Sequence, residues 1–315
     1  MRVGRKVIVR VPASVANLGS GFDAMGMALN LYNTVELEET GAGYEIEMSG
    51  EGEQTLPRDQ SNLVAQAINR LFEVTSQQIS GWRLRLINNI PLQSGLGSSA
   101  AAIVGGLVAA NAVAGYPLSL KQILSQAIAL EGHPDNAAAA LLGGVVVIVP
   151  GESCTADNSG AGPEYLYTCF KPPADLVAYT AIPGFTLSTS LARQILPEQI
   201  SLKDAVFNLA RAAMLAMALR DGDWDKLGIA TQDRIHQPYR AHLIQGLEEM
   251  FQAARLAGAY GVFLGGAGPS VVALGPPGSK AGEVMRKVFM AHGAEARVLE
   301  LQPSPFGAYA EISSL

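Results

Sequence analysis

The chain has 315 residues, 49% of them hydrophobic and 16% charged, with a formal net charge of −6. That length suits two ordinary domains, and the acidic balance excludes a general nucleic-acid binder, which needs a basic face. The longest apolar run, Ala100 to Ala114, is too short and too rich in Ala and Gly to cross a bilayer, so no membrane partner is expected.

The opening Met1-Arg2-Val3-Gly4-Arg5-Lys6 leads into a strand rather than an apolar signal segment, and a cytoplasmic location is expected. Val7–Val11 and Thr34–Glu38 alternate as strands, and Tyr44–Met48 continues the antiparallel pattern. From Asn62 to Thr75, Leu63, Ala67, Leu71 and Val74 recur at helical spacing. Trp82–Ile87 is again a strand. Residues 99–114 and 120–131 read as two helices, the second started by Ser119. Gly132-His133-Pro134-Asp135-Asn136 then enters an alanine run suited to a packed helix, with Asp135 or Asn136 as its cap.

Gly143–Val149 is a buried strand closed by Pro150-Gly151. Residues 151–164 are polar and turn-rich and mark the best boundary, dividing 1–160 from 161–315. Cys154 and Cys169 flank this region without histidine neighbours, so reduced thiols are expected rather than a disulfide or a zinc site. Beyond it come a strand at Leu176–Tyr179 and helices at Ser190–Leu196, Leu202–Leu219, 223–230 and 240–257. Strands Val262–Leu264 and Val271–Leu274 flank a glycine segment, and a helix at 280–292 and a strand at Ala296–Leu299 follow. The pattern is α+β.

Between the strand at Trp82–Ile87 and the helix at 99 lies Pro91-Leu92-Gln93-Ser94-Gly95-Leu96-Gly97-Ser98-Ser99-Ala100-Ala101-Ala102. A strand, a glycine turn, two hydroxyls and a helix point main-chain amides and the positive end of a helix dipole at one spot. Glycine permits close approach of a ligand, so the segment suits a phosphate. The alternative is a tight turn capped by Ser98 or Ser99. No lysine follows before Lys121, so this is not the lysine-bearing phosphate loop. Phosphate charge would have to be met by main-chain dipoles, a metal ion and groups from elsewhere.

Ile90–Ala101 resembles the ATP-binding motif of the GHMP kinases, with Gln93 where many members carry a small residue. Val11-Pro12-Ala13-Ser14-Val15-Ala16-Asn17-Leu18-Gly19-Ser20-Gly21-Phe22-Asp23 resembles the N-terminal motif of the homoserine kinases within that family. Gly265-Gly266-Ala267-Gly268-Pro269-Ser270 is similar to the family's C-terminal glycine motif. The resemblance implies a two-domain GHMP kinase fold, with an N-terminal domain like the second domain of ribosomal protein S5 and a ferredoxin-like C-terminal domain. It implies ATP-dependent phosphorylation of the L-homoserine hydroxyl to O-phospho-L-homoserine, on the way to threonine, by a homodimer. Mevalonate- or shikimate-type kinases, and a non-catalytic nucleotide or ligand sensor, are the alternatives.

On the same resemblance, ATP would be held by Pro91, Ser94, Gly95, Leu96, Gly97, Ser98, Ser99, Ala100 and Ala101. Asn62 would lie near the adenine, unless it serves only as a helix cap. Mg²⁺ would sit on Ser98 and Glu131, although the connection from Glu131 to the His133-Pro134-Asp135-Asn136 unit is shorter than in many homoserine kinases. A free amino acid needs a cation for its carboxylate and an anion for its ammonium group, and arginine's planar fork suits the former. Thr189 and Arg193 are four residues apart and share a helix face; both match a substrate-facing segment of the family. Asp233-Arg234-Ile235-His236-Gln237-Pro238-Tyr239-Arg240 resembles a second arginine motif at Asp233, Pro238 and Arg240. Asn17, Asp23, His133 and Gly266 complete the expected substrate site, with Asn136 orienting the hydroxyl and Asp135 as candidate base.

Overall fold

The computed structural model describes residues 5–151 and 164–313; Cys154 lies outside them, and Cys169 is an exposed free cysteine. The first half begins with β1 (Lys6–Ala16) and β2 (Met25–Glu39), an antiparallel pair longer than the five-residue cores visible by alternation, with a register shift between Pro12 and Ala13. Next come β3 (Gly43–Gly50), α1 (Leu63–Val74) and β4 (Gly81–Asn88). β3 runs parallel to β4, against the antiparallel expectation. The cause is α1: a helix between two paired strands makes a crossover, which returns the chain in the same direction. The buried face of α1 is Val64, Ala67, Ile68 and Leu71, whereas Leu63 is largely exposed.

α2 (Ser98–Val113) is apolar on every side because it is buried on nearly every side, under α1 and against β1 and β2. α3 (Leu120–Glu131) starts at Ser119 with a reciprocal capping box to Gln122. α4 (Pro134–Leu142) has His133 at its N-cap and Pro134 at N1. Neither Asp135 nor Asn136 caps it; both lie in its first turn, where the Asp135 carboxylate accepts the Asn136 amide at 2.7 Å. β5 (Val145–Pro150) pairs with the start of β2, and β6 (Tyr165–Phe170) pairs with β5.

The second half opens with β7 (Val177–Pro183), α5 (Thr189–Gln194) and α6 (Leu202–Asp221). The helix expected at 223–230 is a 3₁₀ turn, Trp224–Lys226, running into α7 (Leu227–Ala230). The one expected at 240–257 is two helices, α8 (Gln237–Arg240) and α9 (Leu247–Leu256), separated by a 3₁₀ turn and by Gly246 at φ 78°. β8 (Gly261–Leu264), β9 (Val271–Gly275), α10 (Ala281–Ala291) and β10 (Ala296–Leu301) complete an antiparallel sheet in the order β10-β7-β9-β8. This strand order, with α9 and α10 packed together on the sheet, is the ferredoxin-like arrangement.

The chain then returns. β11 (Tyr309–Ser313) pairs antiparallel with β1, from Lys6 opposite Ser313 to Arg10 opposite Tyr309. The first sheet therefore runs β11-β1-β2-β4-β3, with β5 and β6 attached through β2. β6 and β11 both lie beyond residue 160 yet belong to that sheet, so a single cut there does not separate the two sheets. β6 carries β-formers, Tyr165-Leu166-Tyr167, but adjoins the polar, turn-rich stretch, whereas β11 includes Ala310 and Glu311, residue types depleted in strands.

Candidate active site

The site lies where the two sheets' loops meet, in a cavity of about 390 Å³. Its floor is the start of α2. The helix has Gly97 at its N-cap, in the left-handed region (φ 68°), and no side chain caps it. Ser98 and Ser99 are helical residues, so neither is the cap of the tight turn that was the alternative. A side chain at Gly97 would collide with Ser14 Oγ, which donates to Asn136 Oδ1 at 3.0 Å. Gly95 is equally constrained, since a Cβ there would strike the Gly265 carbonyl from the other half of the chain. The loop carbonyl of Ser94 accepts from both the amide (3.3 Å) and the hydroxyl of Ser270. First-turn amides free of side-chain caps, at the end of a bend that only glycine fits at Gly95 and Gly97, form a ready anion cradle.

Asn62, Ser94, Gly95, Gly97, Ser98 and Ser99 all line this cavity. Leu96, Ala100 and Ala101 do not: they are fully buried and brace the loop from behind. Pro91 acts through its carbonyl, which accepts from Ser94 Oγ at 2.9 Å. Asn62 caps α1 by accepting the Val64 amide at 3.0 Å and also reaches the cavity wall, so its two readings are compatible. Leu56, Pro57, Leu86 and Leu92 add an apolar end to the cavity; Leu92 belongs to the glycine segment, while Leu56 and Pro57, in a loop, and Leu86, on β4, carry no mark of a ligand in the sequence.

At the opposite end, Asp23 and Arg193 form a bidentate ion pair, with Nη2–Oδ1 at 2.7 Å and Nη1–Oδ2 at 3.0 Å. Asn17 sits behind Asp23: its carboxamide oxygen accepts the Asp23 amide at 3.1 Å and its amide donates to the Gly266 carbonyl at 3.0 Å. Arg240 is 1% exposed and also borders the cavity. Burial and the neighbouring Arg193 charge lower its pKa to about 10, which still leaves it cationic at neutral pH. Thr189, at the first position of α5, lines the same end together with His133, Asp135, Asn136 and Gly266. Phe22, which the motif left without a role, lies under both guanidinium groups, 5.8 Å from Arg193 Cζ and 5.6 Å from Arg240 Cζ.

Between the two ends stand Glu131, His133 and Asp135. Ser99 rather than Ser98 donates to Glu131, at 2.6 Å. Burial raises the Glu131 carboxyl above its ordinary pKa, aided by Asp135 and opposed by the Ser99 bond and His133. Burial disfavours charging His133, but Asp135 and Glu131, 3.5 and 4.0 Å from its ring nitrogens, outweigh it and raise its pKa. Among the described residues no three His, Cys, Asp or Glu side chains gather as a metal cage. One carboxylate and one hydroxyl, Glu131 and Ser98, are nevertheless the hard oxygen donors that Mg²⁺ takes when phosphates supply the rest, so the donor set fits that ion.

The sequence matches two family models, the GHMP kinases N terminal domain over residues 62–144 and the GHMP kinases C terminal over residues 215–294. It is 43% identical to a homoserine kinase of Moorella thermoacetica over 96% of this chain and 98% of that one. A homoserine kinase of Carboxydothermus hydrogenoformans is 44% identical over 96% of both chains. The crystal structure of homoserine kinase from Cytophaga hutchinsonii superposes with a TM-score of 0.83 at 32% identity, covering 99% of this chain and 98% of that one. A mevalonate kinase from L. major shares the fold at TM-score 0.69 and 18% identity, covering 95% and 96%. No helix among the described residues is long and apolar enough to cross a membrane. With the uncapped glycine bend, the paired Asp23 and Arg193, and this similarity along nearly its whole length, the chain belongs to the homoserine kinases of the GHMP kinase family.

Proposed function

We propose that this cavity binds ATP on the glycine bend and transfers its γ-phosphoryl group to the side-chain hydroxyl of L-homoserine, giving O-phospho-L-homoserine and ADP. One observation carries the reading: an anion cradle and a matched acid–base pair, Asp23 with Arg193, open into the same cavity. The apolar end near Asn62 receives the adenine, and the amides of α2 receive the phosphates. A zwitterionic amino acid enters by exchange. Its ammonium group takes the place of Arg193 on Asp23, and its carboxylate takes the place of Asp23 on Arg193, with Arg240 as second donor. Thr189, Asn136 and His133 then border the hydroxyl, and Gly266 closes the site from the second half.

Holding donor and acceptor in line accounts for much of such a transfer. Glu131 and Ser98 would hold Mg²⁺, which when bound offsets the developing phosphate charge. Asp135 is assigned as acceptor of the hydroxyl proton, oriented by the Asn136 amide it accepts. The reading extends to a homodimer in the cytoplasm. Leu202, Val206, Leu209 and Met217 are exposed on one face of α6, apolar surface of the kind a second copy covers.

The test is ADP release from ATP with homoserine, mevalonate, shikimate and galactose in parallel. Homoserine should be favoured in kcat/KM by ~10²-fold or more, since a site built around a charge pair rejects substrates lacking one partner. Turnover of mevalonate or shikimate at a comparable rate would assign the cavity to another acceptor, and no turnover of any would favour a sensor.

A further inference from the structure

Behind the proposed substrate site lies a buried imidazole that the mechanism above does not use. His236 is completely buried. Its ring stacks on Phe22, with centroids 5.1 Å apart and planes inclined by 23°. Nε2 lies 2.8 Å from the Gly19 carbonyl, which can only accept, so Nε2 carries the proton. The other nitrogen, Nδ1, is then a lone-pair acceptor, and it faces Arg240 Nη1 at 3.1 Å. Arg240 is fixed on two more sides, Nε donating to the Ala192 carbonyl and Nη1 to the Gly266 carbonyl, each at 3.0 Å. These bonds use every donor of Nε and Nη1. Nη2 makes no hydrogen bond among the described residues, and Arg240 borders the cavity.

We propose that His236 is a positioning residue for substrate carboxylate recognition: as a neutral ring with Nδ1 unprotonated, it holds the Arg240 guanidinium so that Nη2 is presented to the cavity. The proposal rests on the function proposed above, because it presumes a carboxylate for Arg240 to meet. Protonating Nδ1 would set a cation against a cation, and burial keeps the ring neutral by lowering its pKa. Lysine could not replace Arg240, having no fork with one arm to anchor and one to offer. The ring, through Gly19 and Phe22, and the guanidinium it holds, through Ala192 and Gly266, gather the β1–β2 loop, α5 and the second glycine loop around one point.

His236→Asn can keep an acceptor near the Nδ1 position, His236→Gln keeps only a donor for Gly19, and His236→Phe keeps neither. For Gln and Phe, KM for homoserine should rise about tenfold or more, the loss expected of a charge-assisted bond. KM for ATP should stay within about twofold. Asn should recover most of the loss. The preference for homoserine over 3-aminopropan-1-ol, which lacks the carboxylate, should collapse in Gln and Phe alone. Equal losses in all three variants, or KM for ATP rising in step, would make His236 a mere packing residue and overturn the proposal. Should none of the variants fold, ¹⁵N shifts of the four histidines in the wild-type chain decide: His236 must show an Nε2–H tautomer with Nδ1 accepting, and an Nδ1–H form refutes it. Wild-type protein that ignores homoserine would instead sink the substrate reading, and the ¹⁵N measurement would still report on the His236–Arg240 contact.

Discussion

Two carboxylates a few residues apart, Glu131 and Asp135, have different surroundings and therefore different tests. Burial favours the protonated form of Glu131 in the folded chain. A folded pKa above the unfolded one means the native state holds its proton more tightly. Stability from this group is thus present below the ordinary carboxylate range and is lost as pH rises through it toward the raised value. Glu131→Gln does not titrate, so its melting temperature relative to wild type should increase as pH rises from about 4 through and above the ordinary carboxylate range. Thermal melts across that window check it; a constant difference would mean that the carboxyl is not perturbed. The same variant should lose turnover and show altered Mg²⁺ dependence. Asp135→Asn asks a separate question. If Asp135 accepts the hydroxyl proton, kcat should fall ~10²–10⁴-fold with KM for both substrates nearly unchanged; a fall under tenfold would leave alignment and charge compensation to carry the reaction.

At the scale of elements, the turn before α8 decides where Arg240 can go. The Asp233 side chain is completely buried and accepts from Asn208 (2.6 Å) and from the amides of Ile235, His236 and Gln237 (2.9, 2.9 and 2.6 Å). Asp233→Ala would leave these donors buried and unmatched, at a cost of about 3 kcal/mol or more. Urea unfolding should show that loss, and KM for homoserine should rise through Arg240 while KM for ATP is spared; an unchanged urea midpoint would refute this role. The family motif marked Asp233, Pro238 and Arg240 but not the short helix they make, because four residues carry no periodicity. Helices at 63–74 and 120–131 were legible from spacing and caps, and the one at 98–113 from its long Ala- and Gly-rich apolar run. Strands were legible where they alternate, yet the parallel pairing of β3 was not, since direction depends on the α1 crossover rather than on side-chain pattern. The glycine bend was legible because its conformation demands glycine at Gly95 and Gly97. Phe22 and His236 were not, because an aromatic beside a charged motif looks the same whether it packs or positions.

Across the whole molecule, the chain leaves the first sheet after β6, builds the second sheet, and returns to the first as β11. Two covalent crossings therefore join the halves, and polar contacts at the cavity add to them: Ser20 to the Ala230 carbonyl at 2.7 Å, Asn17 to Gly266, and Ser270 to Ser94. Arg297 pairs with Glu51 at 2.7 Å farther out. Halves fastened at both ends of the chain and across the site should not melt independently. Calorimetry should give one transition, with calorimetric and van't Hoff enthalpies in a ratio of about 1. Truncation after Ala308 removes β11, one of the two crossings, and leaves β1 as an open edge free to pair with other chains. The truncated protein should melt lower, separate into two transitions and aggregate on heating. ATP and homoserine together should raise the melting temperature of the full chain more than the sum of each alone, because homoserine bridges the halves, from Asp23 to Arg193 and Arg240, in the same cavity as the ATP held by the first half. A wild-type thermogram already resolved into two peaks, each moved by only one of the substrates, would show that the cavity is not the joint that this topology makes it.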